Sequence, residues 1–354
     1  MTTHFFLGAN SGEGFQNLYS EIADLRDTKD FLVLKGGPGV GKSTFMKHIA
    51  QAAEAAGADV EYIWCSGDPD SLDAVRLPGC GTVIADGTSP HVIEPKFPAA
   101  VDRYVNLGQF YDIAPIKAAR DQVVARTEAY QAAYQRAFHC LKAARQVEVD
   151  ANACLQSAMD WARADRRITG VIARELRRKG GGPGKVSCRF LGGMTHQGYV
   201  WRFDSVDLLC PRVYELADRG ELGSGVLLRL RDAATAAGHD VIACLNPEDM
   251  GRIQHLLVPG LGLGFVTSNE QLPYPGKPYR RIRLDAMTEV QDRPRLRFAR
   301  RMTEALREEA LAALREAKAE HDALEALYNP HVDFDGVRSL AEGETQRILG
   351  YLKG

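Results

Sequence analysis

The stretch "LKGGPGVGKSTF" at 34–45 has the clearest chemistry in the sequence. It satisfies the pattern G-x-x-x-x-G-K-[ST], in which glycines let successive backbone N–H groups point at one phosphate. Lys42 supplies a positive charge for the outer phosphates, Ser43 offers a hydroxyl ligand to Mg²⁺, and Thr44 bonds a phosphate or caps the helix. We expect phosphates to be bound by Gly37, Pro38, Gly39, Val40, Gly41, Lys42, Ser43 and Thr44.

A carboxylate follows a second apolar run, in "TVIADGTSPH" at 82–91. Asp86 comes after four mostly apolar residues, which is typical of the end of a buried strand next to a phosphate loop. There it would hold Mg²⁺ together with Ser43. The alternative is that Asp86 only forms the turn at the end of the strand.

Three further aspartates occur in "CSGDPDSLD" at 65–73. Asp68, Asp70 and Asp73 follow a predicted strand, where a doubly wound sheet opens toward its ligand crevice. One of them, with Asp68 as the candidate, would polarise water or a substrate hydroxyl. The competing interpretation is turn and N-cap chemistry, which Asp-Pro-Asp-Ser also favours.

The sequence leaves the catalytic base open. His91 is either a site residue or a turn histidine, and no glutamate directly follows Asp86, where many ATPases keep the base, so slow hydrolysis is expected. The candidate catalytic residues are Lys42, Asp86, Asp68 and His91. The chain has no Asn/Thr-Lys-x-Asp motif of the kind that reads guanine, which favours ATP.

The elements that must position these residues are short strands and helices. Strands are predicted at 31–35, 58–65 and 81–87, and a helix at 43–56 that Gly57 ends. The phosphate loop therefore lies between a strand and a helix, as its chemistry requires.

After residue 115, predicted helical segments alternate with a second α/β segment. Residues 116–179 read as two long antiparallel helices, 180–185 as a glycine-rich linker, and 296–328 as helical again after a second α/β stretch. We expect an α/β protein of two tandem P-loop NTPase-like parallel-sheet domains, each followed by a long helical segment. The predicted boundaries are 1–179 with helices at 116–179, a linker at 180–186, and 187–354 with helices at 296–354.

An internal repeat relates the two stretches. "FLGANSGEGF" at 6–15 matches "FLGGMTHQGY" at 190–199, and at the same offset Gly36 and Gly41 predict Gly220 and Gly225 without a gap. "GADV" matches "GHDV" and "LPGCG" matches "VPGLG" at an offset shorter by three residues. Four matched blocks in one order favour a duplication over two unrelated pieces.

The second copy reads as degenerate. In the gapless match Val226 and Leu227 stand where lysine and a hydroxyl are needed, and "GFVTSN" around Thr267 replaces the strand that ends in Asp86. Such a half can still dock on the first like a subunit of a two-fold dimer. Arg219, Arg229 and the basic run at 279–283 would then offer charge to a γ phosphate, or are solvated surface charges.

With the loop, "CSGDPDSLDAV", "VIADGTSPHVIEPKFPAAVDRYVNLG" and "AKAEHDALEALY" together, the chain resembles a bacterial family of tandem P-loop ATPases over nearly its whole length. The resemblance implies ATP binding, a cytoplasmic location and no defined substrate. Members often keep a phosphate loop in the second half, and this sequence departs from them at Val226 and Leu227.

The bulk composition agrees with a cytoplasmic protein. The net charge of −2 gives no drive toward nucleic acid or anionic membranes, and no apolar run approaches the ~20 residues of a membrane span. Seven scattered cysteines without a Cys-x-x-Cys pair indicate reduced thiols and not a disulfide framework. Nucleic acid is therefore not an expected partner, although 293–301 is basic.

Three functions remain open. In the first, ATP turnover at one site drives a change in a protein partner that docks on the helical segments; otherwise those helices only pack on each other. In the second, the chain is a small-molecule kinase with an aspartate of 65–73 as base. In the third, it is a nucleotide-gated scaffold that binds ATP and hydrolyses it negligibly. Partner, acceptor and oligomeric state are not specified by the sequence.

Overall fold

The computed structural model describes residues 1–289 and 292–352. Residues 1–106 form, in chain order, β1 (Thr2–Phe6), β2 (Gly8–Ser11), β3 (Gly14–Asn17), β4 (Asp30–Lys35), α1 (Lys42–Ala55), β5 (Val60–Trp64), β6 (Leu72–Leu77), β7 (Thr82–Asp86) and β8 (Asp102–Asn106). Six of these strands make a sheet in the order β1-β5-β6-β7-β4-β8, and β2 and β3 form a hairpin. The three predicted strands and the predicted helix are confirmed to within two residues at each end.

A second sheet follows the same plan. It is built from β9 (Val186–Arg189), β10 (Gly192–Thr195), β11 (Gly198–Trp201), α5 (Phe203–Leu209), β12 (Arg212–Ala217), α6 (Gly223–Ala236), β13 (Val241–Asn246), β14 (Asp249–Val258), β15 (Leu263–Ser268) and β16 (Arg280–Arg283). Its order is β16-β12-β15-β14-β13-β9, with β10 and β11 as a hairpin. Read from β9, this order matches the first sheet strand for strand, as the internal repeat predicts.

Both sheets are mixed, whereas parallel sheets were expected. β6 runs antiparallel to β5 and β7, and β14 runs antiparallel to β13 and β15. The cause is the length of the connection, since only residues 65–71 join β5 to β6. A parallel crossover needs a dozen or more residues, so a chain this short must turn back on itself.

Long helices follow each sheet. They are α2 (Ile113–Ala118), α3 (Arg120–Ser157) and α4 (Trp161–Glu175) after the first, and α7 (Arg293–Tyr328) and α8 (Phe334–Gly350) after the second. The prediction of two long antiparallel helices within 116–179 is wrong, because α3 alone takes most of that segment and its antiparallel partner is α7. Ion pairs Arg126–Glu320 and Arg295–Asp150 mark opposite ends of this pair. Among the described helices, none combines the length and the apolar character of a membrane span.

The two halves meet through equivalent residues. The backbone N–H of Phe6 donates to the carbonyl of Phe190 at 2.9 Å, and the N–H of Phe190 donates to the carbonyl of Phe6 at 2.9 Å. Such reciprocal contact is the mark of a two-fold interface. Both rings are fully buried in one apolar cluster that draws on both sheets, and the buried pair Arg189–Glu61, at 2.6 Å, also crosses between the halves.

The last helix, α8, packs on the first half of the molecule. Val337, Ala341 and Ile348 are buried in the same cluster as Phe45 and Ile49 of α1. Glu344 of α8 adds an ion pair of 2.7 Å with Arg103 on β8. The apolar core next to α1 is therefore completed by a segment that follows the second sheet.

Candidate functional site

The phosphate-loop sequence lies between a buried strand and a helix. β4 ends at Lys35, the loop occupies 36–41, and α1 begins at Lys42. Gly39 and Gly41 have φ values of 70° and 88°, which glycine adopts without the steric cost of a Cβ. The side chain of Val40 is fully buried in the core below, so Val40 offers a ligand its backbone alone.

The pairing of the strands brings Lys42 and Asp86 together. β7 lies beside β4, and Asp86 is the partner of Leu34, directly before the loop. The Lys42 ammonium lies 3.6 Å from the Asp86 carboxylate and donates hydrogen bonds of 2.7 and 2.9 Å to the carbonyls of Gly36 and Gly37. The two predicted residues with opposite charge therefore share one site.

The hydroxyl and carboxylate oxygens needed for Mg²⁺ lie at the same edge. Ser43 Oγ accepts a hydrogen bond of 3.0 Å from the Leu72 N–H, which fixes its rotamer. Asp86 Oδ1 accepts from the N–H and the hydroxyl of Thr88 at 2.8 and 2.6 Å, and this orients the carboxylate. Oxygen ligands of this kind suit Mg²⁺. Thr44, in the first turn of α1, is exposed.

The three aspartates of 65–73 lie in different surroundings. Asp68 accepts from the Ser71 hydroxyl at 3.0 Å and faces Lys318 of α7 at 3.7 Å. Asp70 is exposed and accepts from Gln197 of the second half at 3.0 Å. Asp73 is buried within β6. Both interpretations of Asp68 stay predictions, since it lies at the crevice and also makes turn contacts.

His91 and Asp73 form a buried pair beside the loop. His91 Nε2 lies 3.3 Å from Asp73 Oδ1, and the Tyr19 hydroxyl donates to Asp73 Oδ2 at 2.7 Å. Burial lowers the pKa of His91, but the charge and hydrogen bond of Asp73 outweigh it, so the pKa lies above the ordinary value. For Asp73, burial raises the pKa and His91 more than reverses this, so the pKa is lowered. Asp73 directly follows Leu72, whose N–H donates to Ser43, so the pair lies near the loop.

Glu325 of α7 and Asn329, the residue directly after α7, contact the loop, and sequence reasoning missed both. The N–H of Gly39 donates to the Glu325 carboxylate at 3.2 Å. The Asn329 amide, with its nitrogen facing the loop, donates to the carbonyl of Gly39 at 3.0 Å. A carboxylate thus occupies one N–H group of the kind that binds phosphate. The string "AKAEHDALEALY" contains Glu325, but nothing local in it indicates a contact with the loop.

The second half also contacts the loop at 65–71. His196 Nδ1 lies 3.1 Å from the carbonyl of Gly67, and the Arg202 guanidinium donates to the carbonyl of Pro69 at 2.9 Å. The Arg202 guanidinium also stacks over the ring of Trp64, 4.6 Å from its centroid. The crevice edge of the first sheet is therefore lined in part by the β10–β11 hairpin and the residues after it.

The equivalent loop of the second half corrects the predicted alignment. α1 and α6 each have 14 residues, and each is followed two residues later by a glycine with positive φ, Gly57 and Gly238. Gly223 and Ser224, not Val226 and Leu227, therefore correspond to Lys42 and Ser43. The gapless match was misled by Gly225, which lies inside α6, because the second loop at 218–222 is one residue shorter than 36–41.

The same register explains Val226 and Leu227. They correspond to Phe45 and Met46, and all four side chains are buried under their sheets. Strand pairing places Thr267 opposite Leu216, the position that Asp86 takes opposite Leu34.

A side chain of the loop itself occupies the second loop's N–H groups. Asp218, only 5% exposed, accepts hydrogen bonds from Gly220, Leu222 and Gly223 at 3.1, 2.9 and 2.7 Å. Burial raises the pKa of this carboxyl, and the three N–H bonds oppose the shift without cancelling it. A Cβ at Gly223 would lie 2.8 Å from Thr267 and 2.9 Å from the Asp218 carboxylate, so no side chain fits at the lysine position as the loop stands.

The candidate arginines of the second half pair within that half or with the helix before it. Arg219 lies 3.4 Å from Glu270, Arg229 pairs with Asp165 of α4, and Arg281 lies 3.3 Å from Glu215. These contacts support the interpretation as surface charge.

In comparison with known proteins, no family model, no curated protein and no solved structure matches the chain.

Proposed function

We propose that the chain is a Mg-ATP-binding P-loop ATPase with a single nucleotide site at residues 36–44 and Asp86. The observation that carries the proposal is the placement of Lys42, 3.6 Å from Asp86 at the edge of two neighbouring strands, directly after a glycine loop with two left-handed residues. We extend the proposal to membership of the tandem P-loop ATPase family that the sequence resembles.

The residues present fit the ligand. Loop N–H groups, the N-terminus of α1 and the Lys42 ammonium would hold the phosphates, and Ser43 and Asp86 would hold Mg²⁺. Mg²⁺ supplies neutralisation of phosphate charge when bound. Lys42 now donates to carbonyls of its own loop, bonds that a flexible ammonium can exchange for phosphate oxygens.

The coupling half of the proposal rests on Glu325. Its carboxylate, 37% exposed, accepts from an N–H that phosphate needs. The same helix places Lys318 at the crevice, and Asn329 contacts the loop directly after the helix ends. Phosphate and Glu325 therefore compete, so nucleotide binding releases the end of α7 from the loop. A protein partner docked on α3 and α7 would sense that release.

Hydrolysis is proposed to use groups around the crevice, with Asp68 and His91 as candidates. Asp68 faces Lys318, and His91 is 8% exposed and held by Asp73. Neither group is an exposed, unpaired base, which fits slow turnover. A scaffold that binds ATP and releases no ADP is the second candidate, and these contacts favour it over a kinase.

The experiment is calorimetric titration of the full chain with ATP and with GTP in the presence of Mg²⁺. We expect one ATP per chain and preference over GTP. Lys42→Ala removes a charge-assisted contact of about 1.5–3 kcal/mol, which weakens binding roughly 10- to 150-fold. The matched control is Ser224→Ala at the equivalent turn of the second half, which should bind ATP like wild type.

Unchanged binding in Lys42→Ala would refute the proposal. ADP release by the purified chain then separates the ATPase from the scaffold, and phosphate transfer that appears only with metabolite pools would instead support a kinase.

A further inference from the structure

Three side chains of metal-ligand type converge beside the phosphate loop. Cys65 directly follows β5, Asp73 lies in β6, and His91 follows β7. Their donor atoms all lie within 4.8 Å of one another. The cluster shares no residue with Ser43 and Asp86, the proposed Mg²⁺ ligands. With His91 as a metal ligand, Asp68 is left as the candidate base for hydrolysis.

The distance between His91 and Asp73 fits one small cation. Tetrahedral zinc with bonds of about 2.0–2.1 Å to nitrogen and oxygen sets its ligand atoms about 3.3 Å apart. His91 Nε2 and Asp73 Oδ1 are 3.3 Å apart in the structure. Asp73 is 3% exposed and lies at a β-bulge of β6, between Leu72, which pairs with Trp64, and Ala74, which pairs with Ile63 and Ala85. Bulges of this kind redirect a side chain and occur next to functional sites.

A hydrogen bond from Tyr19 orients Asp73 as in known metal sites. The Tyr19 hydroxyl donates to Asp73 Oδ2 at 2.7 Å and leaves Oδ1 for the centre of the cluster. Hydrogen bonds of this kind orient ligating carboxylates. His91 Nδ1 is buried with no partner among residues 1–289 and 292–352, so the imidazole is not committed through both nitrogens.

We propose that Cys65, Asp73 and His91 form a binding site for Zn²⁺, with water as the fourth ligand. A donor set of sulfur, nitrogen and oxygen suits zinc, whereas Mg²⁺ takes oxygen alone, so the two metals bind at separate places. Zinc there links the segments that follow β5 and β7 to Asp73 on β6. The site does not depend on nucleotide binding.

The test uses the full chain, stripped with a chelator and titrated with Zn²⁺ against a chromogenic competitor. We expect one tight equivalent per chain and at least a tenfold loss of affinity in Cys65→Ser. Cys154→Ser, near the C-terminal end of α3 and outside the cluster, is the matched control and should bind as wild type. His321→Ala tests the second candidate group, formed by His321, Asp322 and Glu325, and should also bind as wild type.

Tyr19→Phe is a second variant, to be used if a substitution of a ligand prevents folding. It keeps the aromatic ring and removes the hydroxyl that donates to Asp73. Loss of an outer hydrogen bond to a ligand weakens zinc about 10- to 100-fold. Cobalt substitution adds a spectroscopic check, because thiolate-to-Co²⁺ absorption must disappear in Cys65→Ser. Absence of a tight equivalent, or loss in His321→Ala with Cys65→Ser unaffected, overturns the proposal. ATP titration of the same samples reports on the nucleotide site separately.

Discussion

The loops at 36–41 and 218–222 occupy the same place in two sheets of the same strand order, and each bonds a carboxylate through backbone N–H groups. In the first loop the carboxylate belongs to Glu325, 286 residues away, and makes one such bond from a partly exposed position. In the second it belongs to Asp218, within the loop, and makes three while buried.

If the first loop binds nucleotide as proposed, this difference separates a site that exchanges its anion from one that cannot. The partly exposed Glu325 carboxylate can be replaced by phosphate at modest cost in free energy. Displacement of the buried Asp218 carboxylate would leave three N–H groups without an acceptor. Under the proposed function, the second half therefore differs from the first by more than a missing lysine. The anion site persists, and the chain itself fills it.

We expect the largest change in stability when the carboxylate bound in the second loop is removed. Asp218→Ala leaves three buried N–H groups without an acceptor, which lowers the free energy of unfolding by about 4 kcal/mol, since each unsatisfied group costs about 1–3 kcal/mol. Urea denaturation measures this. Asp218→Asn keeps one acceptor oxygen and should lose less, and Asp232→Ala, on the exposed face of α6, should stay within about 0.5 kcal/mol. A small effect for Asp218→Ala would mean that its bonds do not hold the loop.

The next largest change in stability concerns a buried ion pair that has no counterpart at the symmetric positions of the two halves. Arg189 pairs with Glu61 in the buried interface, whereas strand register puts Phe5 and Ile242 at the symmetric positions. Burial raises the pKa of Glu61, but Arg189 and Arg76 more than reverse this, so the pKa is lowered. Glu61→Gln leaves Arg189 buried with a weaker partner and should cost about 2–3 kcal/mol near pH 7.

The sign of the pH dependence follows from the lowered pKa. The stabilisation by Glu61 is fully present above the ordinary glutamate pKa of about 4.3 and is lost as pH falls through the lower, folded-state pKa. The difference between wild type and Glu61→Gln in urea denaturation should therefore shrink only below about pH 4.3. A difference that is constant with pH would show that the charge of Glu61 does not contribute.

The smallest effect concerns the first loop. Glu325→Ala removes the competing carboxylate, and ATP affinity should rise roughly fivefold, about 1 kcal/mol after allowance for its exposure. Glu316→Ala removes an exposed partner of Arg136 on the same helix and serves as the control. Calorimetric titration decides the matter: weaker ATP binding in Glu325→Ala would show that the residue serves the nucleotide and does not compete with it.

Local signals made the first loop and its flanking elements predictable. The apolar run before Gly36, the glycines and the helix formers after Lys42 all act within a dozen residues. The antiparallel course of β6 was missed, because the turn residues before it were read as an acidic loop. Glu325 was not predictable either, because its place on the loop depends on the pairing of α3 with α7 over the length of both helices.

The second loop shows which residues align the two halves of the sequence correctly. The gapless alignment of the two halves was based on Gly220 and Gly225. The apolar pair Val226–Leu227 and Gly238, which follows the end of α6, instead agree with the offset that is shorter by three residues. Buried positions and helix ends are fixed by packing, while glycines in a turn can shift by a residue or more. Register taken from the core would have put Ser224 opposite Ser43.

The packing of α8 on α1 has a consequence for the order in which the molecule assembles on the ribosome. α1 is made early, yet the helix that covers its apolar side ends at Gly350, almost three hundred residues later. At about 5–20 residues per second, that surface waits roughly 15–60 s for its cover. The loop at 36–41 therefore gains its contacts with Glu325 and with α8 only after both have been synthesised. Until then the first half exposes apolar surface of the kind that chaperones bind.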